Sequence, residues 1–336
     1  MNESRIAVIG AGMAGLGAAR TLRRLGIAAT VFEKSRGPGG RCATRRVGDY
    51  FWDSGATTIV PRQSELGRVM REEISTDGLE PVARPVMLHT NLRPQPGDPT
   101  RAAGRFAYRD GIHTLPKRLA EGLDVRLQTE VEHLDRDGHR LVVNGERYDG
   151  IILTPPIPQT DRLLWTLGES RPFAAVRYRS CISIMLGYAD DLPETAYAAL
   201  LSPDQAHPLA WLSVESAKCT GRRPTLVLQM SREFSRVHYP KSDAELVDMA
   251  LPYVRTLFGA RYTQPDAISV MRWKYSQPEV TGTFGMVNPP GSRLIVASDG
   301  IFGGRLEDAY DSGVRAATML AESLAIPIES PAERAA

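Results

Sequence analysis

Residues 6–15 read Ile6-Ala7-Val8-Ile9-Gly10-Ala11-Gly12-Met13-Ala14-Gly15, and about twenty residues on a single carboxylate, Glu33, closes the apolar run Thr30-Val31-Phe32. A strand, a G-x-G-x-x-G turn, a helix start and a distal acid are what holding a dinucleotide requires. Gly10 permits the tight turn out of the strand. Gly12 lets backbone approach a pyrophosphate, and Gly15 lets the helix lie close to the strand. Anionic oxygens would sit on the free N–H groups of the helix start, at Met13 and Ala14, while Glu33 accepts from the adenosine ribose hydroxyls. The competing reading is a glycine-rich turn in another α/β protein. It would need strand, spacing, helix and acid to agree by accident.

The chain has 336 residues, more than one core comfortably serves, so two domains or one domain with a large insertion are expected. With 42% hydrophobic and 24% charged residues, and a net charge of +2, nothing points to nucleic acid or an acidic membrane as partner. Arg20, Arg23 and Arg24 alternate with Leu16, Leu22 and Leu25 at helical spacing and read as the wet face of the first helix. No apolar run has the length to cross a bilayer, and the N-terminus enters a strand directly instead of a signal peptide, so a cytoplasmic protein is expected. Cys42, Cys181 and Cys219 are few, odd in number and far apart, which fits free thiols.

Strand 5–9, helix 13–25 and strand 29–33 open a doubly wound sheet, and Gly37-Pro38-Gly39-Gly40-Arg41 must then be a loop. Residues 92–104, rich in Pro and Gly, suggest an exposed connection, after which a helix is capped by Thr114 with Pro116 in its first turn. Segments 125–128, 131–134, 140–143 and 146–148, with the turn pairs Asp137-Gly138 and Asn144-Gly145, read as an antiparallel meander. Strand 151–153 is stopped by Thr154-Pro155-Pro156. Longer strands follow at 180–188, 208–215 and 224–231, then a helix opened by the capping box Ser242-Asp243-Ala244-Glu245, which Pro252 should kink or end early. The last segment is strand 294–297, Ser298-Asp299-Gly300, Gly303-Gly304 and a helix to about Leu324; the tail 327–336 reads as disordered.

A lone G-x-G-x-x-G does not separate NAD from FAD. Three further clusters bear on it, though each alone is also the composition of an ordinary loop or capped helix start. At Gly39-Gly40-Arg41 the chain can pass close to a pyrophosphate and Arg41 can add charge-assisted donors. At Asp53-Ser54-Gly55-Ala56, Gly55 would let backbone approach a flat ring. Asp299-Gly300 precedes a long helix whose N-terminus can face the edge of a flavin where charge accumulates on reduction, with Asp299 accepting from ribityl hydroxyls. Gly313, inside that helix at a cost of about 1 kcal/mol relative to alanine, suggests close backbone packing.

The chain resembles the two-dinucleotide-binding-domain flavoproteins of the amine oxidase superfamily, and within them the renalase-like branch, over essentially its whole length. The resemblance is carried by residues 8–15, by Phe32-Glu33-Lys34-Ser35-Arg36-Gly37-Pro38-Gly39-Gly40-Arg41 and by Asp53-Ser54-Gly55-Ala56. Residues 110–116, Leu209-Ala210-Trp211-Leu212, Lys218 and Arg272-Trp273-Lys274-Tyr275 extend it. It implies a Rossmann-like α/β FAD-binding domain in three segments (1–60, 105–158 and 270–330). An α+β substrate domain on an antiparallel sheet would be inserted as 61–104 and 159–269. The implied cofactor is non-covalent FAD, held by Gly10, Gly12, Met13, Ala14, Gly15, Glu33, Lys34, Gly40, Arg41, Ser54, Gly55, Ala56, Val131, Thr154, Asp299, Gly300, Leu306 and Glu307.

The implied reaction is hydride transfer from a small-molecule substrate to flavin N5, with oxygen as acceptor and hydrogen peroxide as product. For the renalase-like branch the substrates are wrongly reduced dihydronicotinamide dinucleotides; for the wider superfamily, small amines. The chain departs from the branch at Met271, where renalase-like sequences often carry a histidine, and no cysteine follows Cys219 to link a flavin covalently. Lys274 could hold a water over N5, as in some superfamily members, or simply snorkel at the surface; Trp273 and Tyr275 could wall the substrate side. His89, His113, His133, His139, His207 and His238 lack metal spacing, so no metal is expected. An NAD(P)-only dehydrogenase and a non-redox FAD-binding protein are the other readings. The oligomeric state stays open.

Overall fold

The computed structural model describes residues 4–97 and 104–325. The tail 327–336 lies outside the described residues. Five parallel strands form the first sheet, in spatial order Leu294–Val296, Gly150–Leu153, Arg5–Ile9, Ala28–Phe32 and Asp124–Arg126. The apolar runs of its central strands suit a sheet covered on both faces, and Gly150–Leu153 and Leu294–Val296 are buried at every position.

The helix Met13–Arg24 follows the first strand and packs on the C-terminal helix Leu306–Ser323. Glycine sets their separation: a Cβ on Gly17 would stand 2.4 Å from the Tyr310 carbonyl oxygen, and one on Gly313 only 1.9 Å from that of Ala14. That close approach is why a helix carries Gly313 despite its poor propensity. Arg23 and Arg24 lie on the exposed side of the first helix, and Arg20 pairs with Glu73 at 2.7 Å.

The turn residues Gly138 and Asn144-Gly145 all adopt positive φ and join Leu134–Asp137, Arg140–Val143 and Glu146–Tyr148 into a three-stranded antiparallel meander. The expected first strand of that meander is placed differently. Asp124–Arg126 pairs in parallel with Ala28–Phe32 at the edge of the first sheet, where Thr30 Oγ1 donates to Asp124 Oδ2 at 2.8 Å, and residues 127–133 are irregular. The helix at Thr114–Ala120 starts one residue early, with His113 and not Thr114 at the cap position, and Pro116 in its first turn.

The second sheet has seven strands, in the order Ala267–Val280, Arg177–Gly187, Thr225–Met230, Leu209–Val214, Ala199–Leu201, Val86–Thr90 and Arg93–Gln95. Among the described residues of this sheet, only Ala199–Leu201 with Val86–Thr90 is parallel. Alternation along Arg177–Gly187 turns Ile182, Ile184 and Leu186 toward the helices Arg232–His238 and Asp243–Phe258, and leaves Cys181, Ser183 and Met185 for the face opposite. The capping box at Ser242 and Glu245 is formed. Pro252 does not end its helix, which runs to Phe258; the ring sits on the exposed side, where water can take the carbonyl that proline leaves without a donor.

Two expectations need correction here. Part of the 92–104 connection is the exposed edge strand Arg93–Gln95, a position that tolerates Pro94 because its missing N–H faces away from the ladder, while residues 98–103 lie outside the described residues. A boundary at 270 would cut the strand Ala267–Val280; the chain rejoins the first sheet only at Leu294.

Candidate functional site

A cavity of about 1120 Å³ runs between the two sheets, larger than the few hundred to about 1,000 Å³ typical of a site for one small molecule. At one end it is lined by the first-strand turn, the helix start and Glu33; at the other by Trp211, Trp273 and Tyr275 from the second sheet.

The fingerprint glycines have distinct places. Gly10, at φ 98°, makes the turn, and its N–H donates to the Phe32 carbonyl at 2.7 Å. A Cβ on Gly15 would lie 1.8 Å from the Gly10 carbonyl oxygen, so Gly15 serves the close helix contact and does not line the cavity. A Cβ on Gly12 would meet nothing within 4 Å. Gly12 caps the helix with no side-chain bond, and Met13 and Ala14, the first residues of the helix, line the cavity. Glu33 is buried at the cavity wall and already accepts from Ala11 N and Ser35 N, both at 2.8 Å, which fixes the carboxylate in place for a further donor. Lys34 lines the same end, paired with Glu130 at 3.4 Å; Val131 and Thr154 complete it, Thr154 Oγ1 donating to the Ile9 carbonyl at 2.7 Å.

Arg41 lines the cavity and is also tied to its neighbours. Its Nη1 donates to Asp299 Oδ2 at 2.7 Å and to the Ser276 carbonyl at 2.9 Å, so the guanidinium joins the two sheets around the middle of the cavity. Burial alone would lower its pKa, but Asp299 outweighs it and holds Arg41 above its ordinary value. Asp299 Oδ1 accepts from the Tyr178 hydroxyl at 2.8 Å; burial first, then Asp299, pushes that phenol up and keeps it a donor. Asp299, Gly40 and Leu306 line the cavity. Gly300 does not: its missing Cβ makes room for the Tyr178 hydroxyl, 2.5 Å from where that Cβ would stand. Glu307 is turned away as well, toward the Val60 N–H, and burial raises its pKa.

The segment 53–57 is fastened to the second sheet. The Ser54 carbonyl accepts from Trp273 Nε1 at 2.9 Å and the Gly55 carbonyl from Gln229 Nε2 at 2.6 Å. Gly55 and Ala56 line the cavity, whereas Ser54 is buried behind it. Side chains of Asp53, Glu215, Lys218 and Arg222, each no more than 1% exposed, form a sealed quartet beneath this floor. Lys218 Nζ reaches Asp53 Oδ2 at 3.0 Å, Glu215 Oε1 at 2.8 Å and the Thr57 carbonyl at 2.8 Å; Arg222 bonds both carboxylates. Burial would raise Asp53, but Lys218, then Arg222, then the Ile112 N–H hold it down to about 2.

Of the three residues expected on the substrate side, Trp273 and Tyr275 line the cavity and Lys274 does not. Strand alternation turns Lys274 to the exposed face, with Nζ 5.6 Å from the Tyr275 ring centre, so it holds no water in the cavity. Sequence reasoning missed Arg179, Gln229 and Gln277, which reach the cavity from neighbouring strands, and gave Trp211 no site role. The only signal was the period of two along 177–187, 225–230 and 267–280, which does not say which face looks at the site.

The residues fit a dinucleotide such as FAD: a cap without a side chain at Gly12, a fixed carboxylate at Glu33, and open backbone at Gly55 beside Trp273. The sequence profile of the family described as flavin containing amine oxidoreductase matches residues 83–321, and that of an NAD(P)-binding Rossmann-like domain matches residues 8–72. Among curated proteins, the chain is 48% identical over 56 residues to the zeta-carotene-forming phytoene desaturase of Myxococcus xanthus, 17% of this chain and 11% of that protein. To an L-amino-acid oxidase of Bothrops pauloensis it is 29% identical over 154 residues, 44% of this chain and 30% of that protein. The matched stretches thus span less than a third of these relatives.

Among solved structures, a protein provisionally named a protoporphyrinogen oxidase, from Exiguobacterium sp. 255-15, superposes with a TM-score of 0.77 at 14% identity, covering 97% of this chain and 100% of the other. Cyclohexylamine oxidase from Brevibacterium oxydans IH-35A gives 0.71 at 13%, covering 96% and 100%. At these identities the likeness shows the fold alone. Among the described residues, no helix is long and apolar enough to cross a membrane.

Proposed function

The chain belongs to the flavin containing amine oxidoreductase family, FAD-dependent oxidoreductases, and from that premise we propose that it oxidises a small reduced substrate in the cavity between its two sheets. FAD, when bound, would supply the hydride acceptor, and oxygen would be the final oxidant. The first sheet would hold the dinucleotide: Gly12, Met13 and Ala14 would offer N–H groups to the pyrophosphate and Glu33 would accept from the adenosine ribose. Asp299, fixed by Arg41 and Tyr178, would accept from a ribityl hydroxyl. The second sheet supplies the substrate wall, Trp211, Trp273 and Tyr275.

The substrate reading is renalase-like: a dihydronicotinamide isomer. It rests on the lining of the cavity, which among the described residues includes no histidine and one lysine, Lys34, engaged with Glu130; the second sheet contributes no carboxylate to it, and Asp299 is paired with Arg41. Burial also pushes the Cys42 and Cys181 thiols up to about 12 and about 11, leaving them protonated. A dihydropyridine gives up hydride without a base, whereas an amine must first be neutral, so this lining favours the former. A small amine is the second reading, favoured by the family description and the fold neighbours named for amines.

Purified protein should be yellow. Anaerobic mixing with 2- or 6-dihydronicotinamide isomers, and separately with benzylamine or putrescine, should bleach the flavin only with the former. Folded protein that takes up no FAD overturns the oxidoreductase reading; bleaching by amines alone overturns the substrate.

A further inference from the structure

We infer that the substrate carries an anionic group, a carboxylate or a phosphate, seated on Arg179. The inference rests on the substrate end of the cavity proposed above and narrows what binds there.

Arg179 lies on Arg177–Gly187, half-buried, with its side chain in the cavity wall while its neighbour Tyr178 turns to Asp299. One of its five N–H donors goes to Gln277 Oε1, the residue opposite it across the strand pair, and Gln277 is itself held by the Gly304 carbonyl at 3.0 Å. Among the described residues no carboxylate comes within ion-pair distance of it. Glu279, the carboxylate near enough to be felt, is committed to Arg232 at 3.0 Å, and Arg232 itself repels Arg179. None of Arg179's nitrogens is a sealed, unpaired donor, and the residue lines the cavity, so its unused N–H groups are accessible.

An arginine stays charged, and a half-buried guanidinium without a counter-ion carries a desolvation cost that a bound anion would offset through two charge-assisted hydrogen bonds. Burial lowers its pKa, the direction expected of a cation short of a partner. The wider charge agrees. Of the residues lining the cavity, eight are Lys or Arg and four are Asp or Glu; the diphosphate of FAD, about two negative charges, leaves a positive excess. A protonated amine is repelled by that excess. Cys181, Ala210 and Trp211 also line the cavity from the second sheet, so the anion would be attached to a flat or apolar body.

The test uses the full-length FAD-loaded protein and two matched pairs of non-reducing ligands, benzoate against benzamide and phenyl phosphate against phenol. Binding is read from the difference spectrum of the oxidised flavin, without turnover. In at least one pair the anion should bind wild-type protein at least tenfold more tightly than its uncharged partner. Arg179→Gln should remove that preference and leave the uncharged ligand within twofold, and Arg179→Lys should retain part of it. The pair that responds identifies carboxylate or phosphate. Absence of any anion preference in wild-type protein, or a preference unchanged in Arg179→Gln at equal flavin content, overturns the inference. Should Arg179→Gln lose its flavin, the wild-type preference and its partial retention in Arg179→Lys decide. Flavin that binds normally but is bleached by no donor would overturn the proposed function and leave this result standing.

Discussion

Arg41 Nη1 stands 2.7 Å from Asp299 Oδ2, an ion pair between positions 258 residues apart, closing the cavity wall where the glycine loop meets the start of the final segment. Each partner had been legible as an independent contact to the cofactor. Together they are a strut that fixes the carboxylate.

Asp299→Ala should therefore act on the apoprotein as well as on the cofactor. Removing the carboxylate leaves Arg41 partly buried with carbonyl partners only, a loss of about 2 kcal/mol. Chemical denaturation of apoprotein measures that loss, and an FAD titration should show weaker binding. Unchanged apoprotein stability would mean that the pair is not a strut.

Gly12 and Gly15 separate ligand space from packing. Gly12→Ala should leave apoprotein stability within about 0.5 kcal/mol, because the new methyl meets no protein atom, yet weaken FAD binding about tenfold or more by standing against the pyrophosphate. Gly15→Ala drives a methyl to 1.8 Å from a carbonyl oxygen and should destabilise the fold by about 2 kcal/mol or more with or without FAD. Thermal melts of both variants with and without cofactor distinguish the two.

Gly313→Ala tests the helix contact. Propensity alone favours alanine by about 1 kcal/mol, but the 1.9 Å approach to the Ala14 carbonyl should reverse the sign and give a net loss. A stabilised variant would refute that contact.

The quartet beneath the floor gives a pH dependence. Asp53 is held at about 2, below its unfolded value of about 3.9, so its contribution to stability is present above about pH 4 and is lost as pH falls toward 2. Asp53→Asn should flatten stability in that acid window. Lys218→Met leaves Asp53 and Glu215 short of a cation and should cost about 3–5 kcal/mol at neutral pH. Denaturation midpoints from pH 2 to 7 measure both; a wild-type curve with no acid slope beyond the mutant's would contradict the first.

Lys274→Ala should change neither the rate of anaerobic flavin reduction by more than about twofold nor stability by more than about 0.5 kcal/mol, since the side chain is exposed. Trp273→Ala removes both a cavity wall and the bond that holds the Ser54 carbonyl, and should slow reduction by about tenfold or more. Stopped-flow traces of the two variants with one donor make the comparison.

The sequence by itself determined what depends on neighbours along the chain. Gly10, Gly12 and Gly15 with Glu33 at the right interval set the turn, the helix start and the parallel strand pair. Asn144-Gly145 and Gly138 set the meander, and Ser242 with Glu245 set a helix start, because φ preference and capping are local. Gly313 was legible too, since a glycine within a helix needs a reason. Only the tertiary structure decided which side chains look into the cavity. In Arg272-Trp273-Lys274-Tyr275 one step along the strand turns a side chain from site to solvent, and sheet pairing, not composition, chose Trp273 and Tyr275 over Lys274. The same pairing placed Arg179 at the cavity with Gln277 beside it. It also gave Arg41 to Asp299 and Asp53 to Lys218, contacts between distant segments that exist only once both sheets are packed.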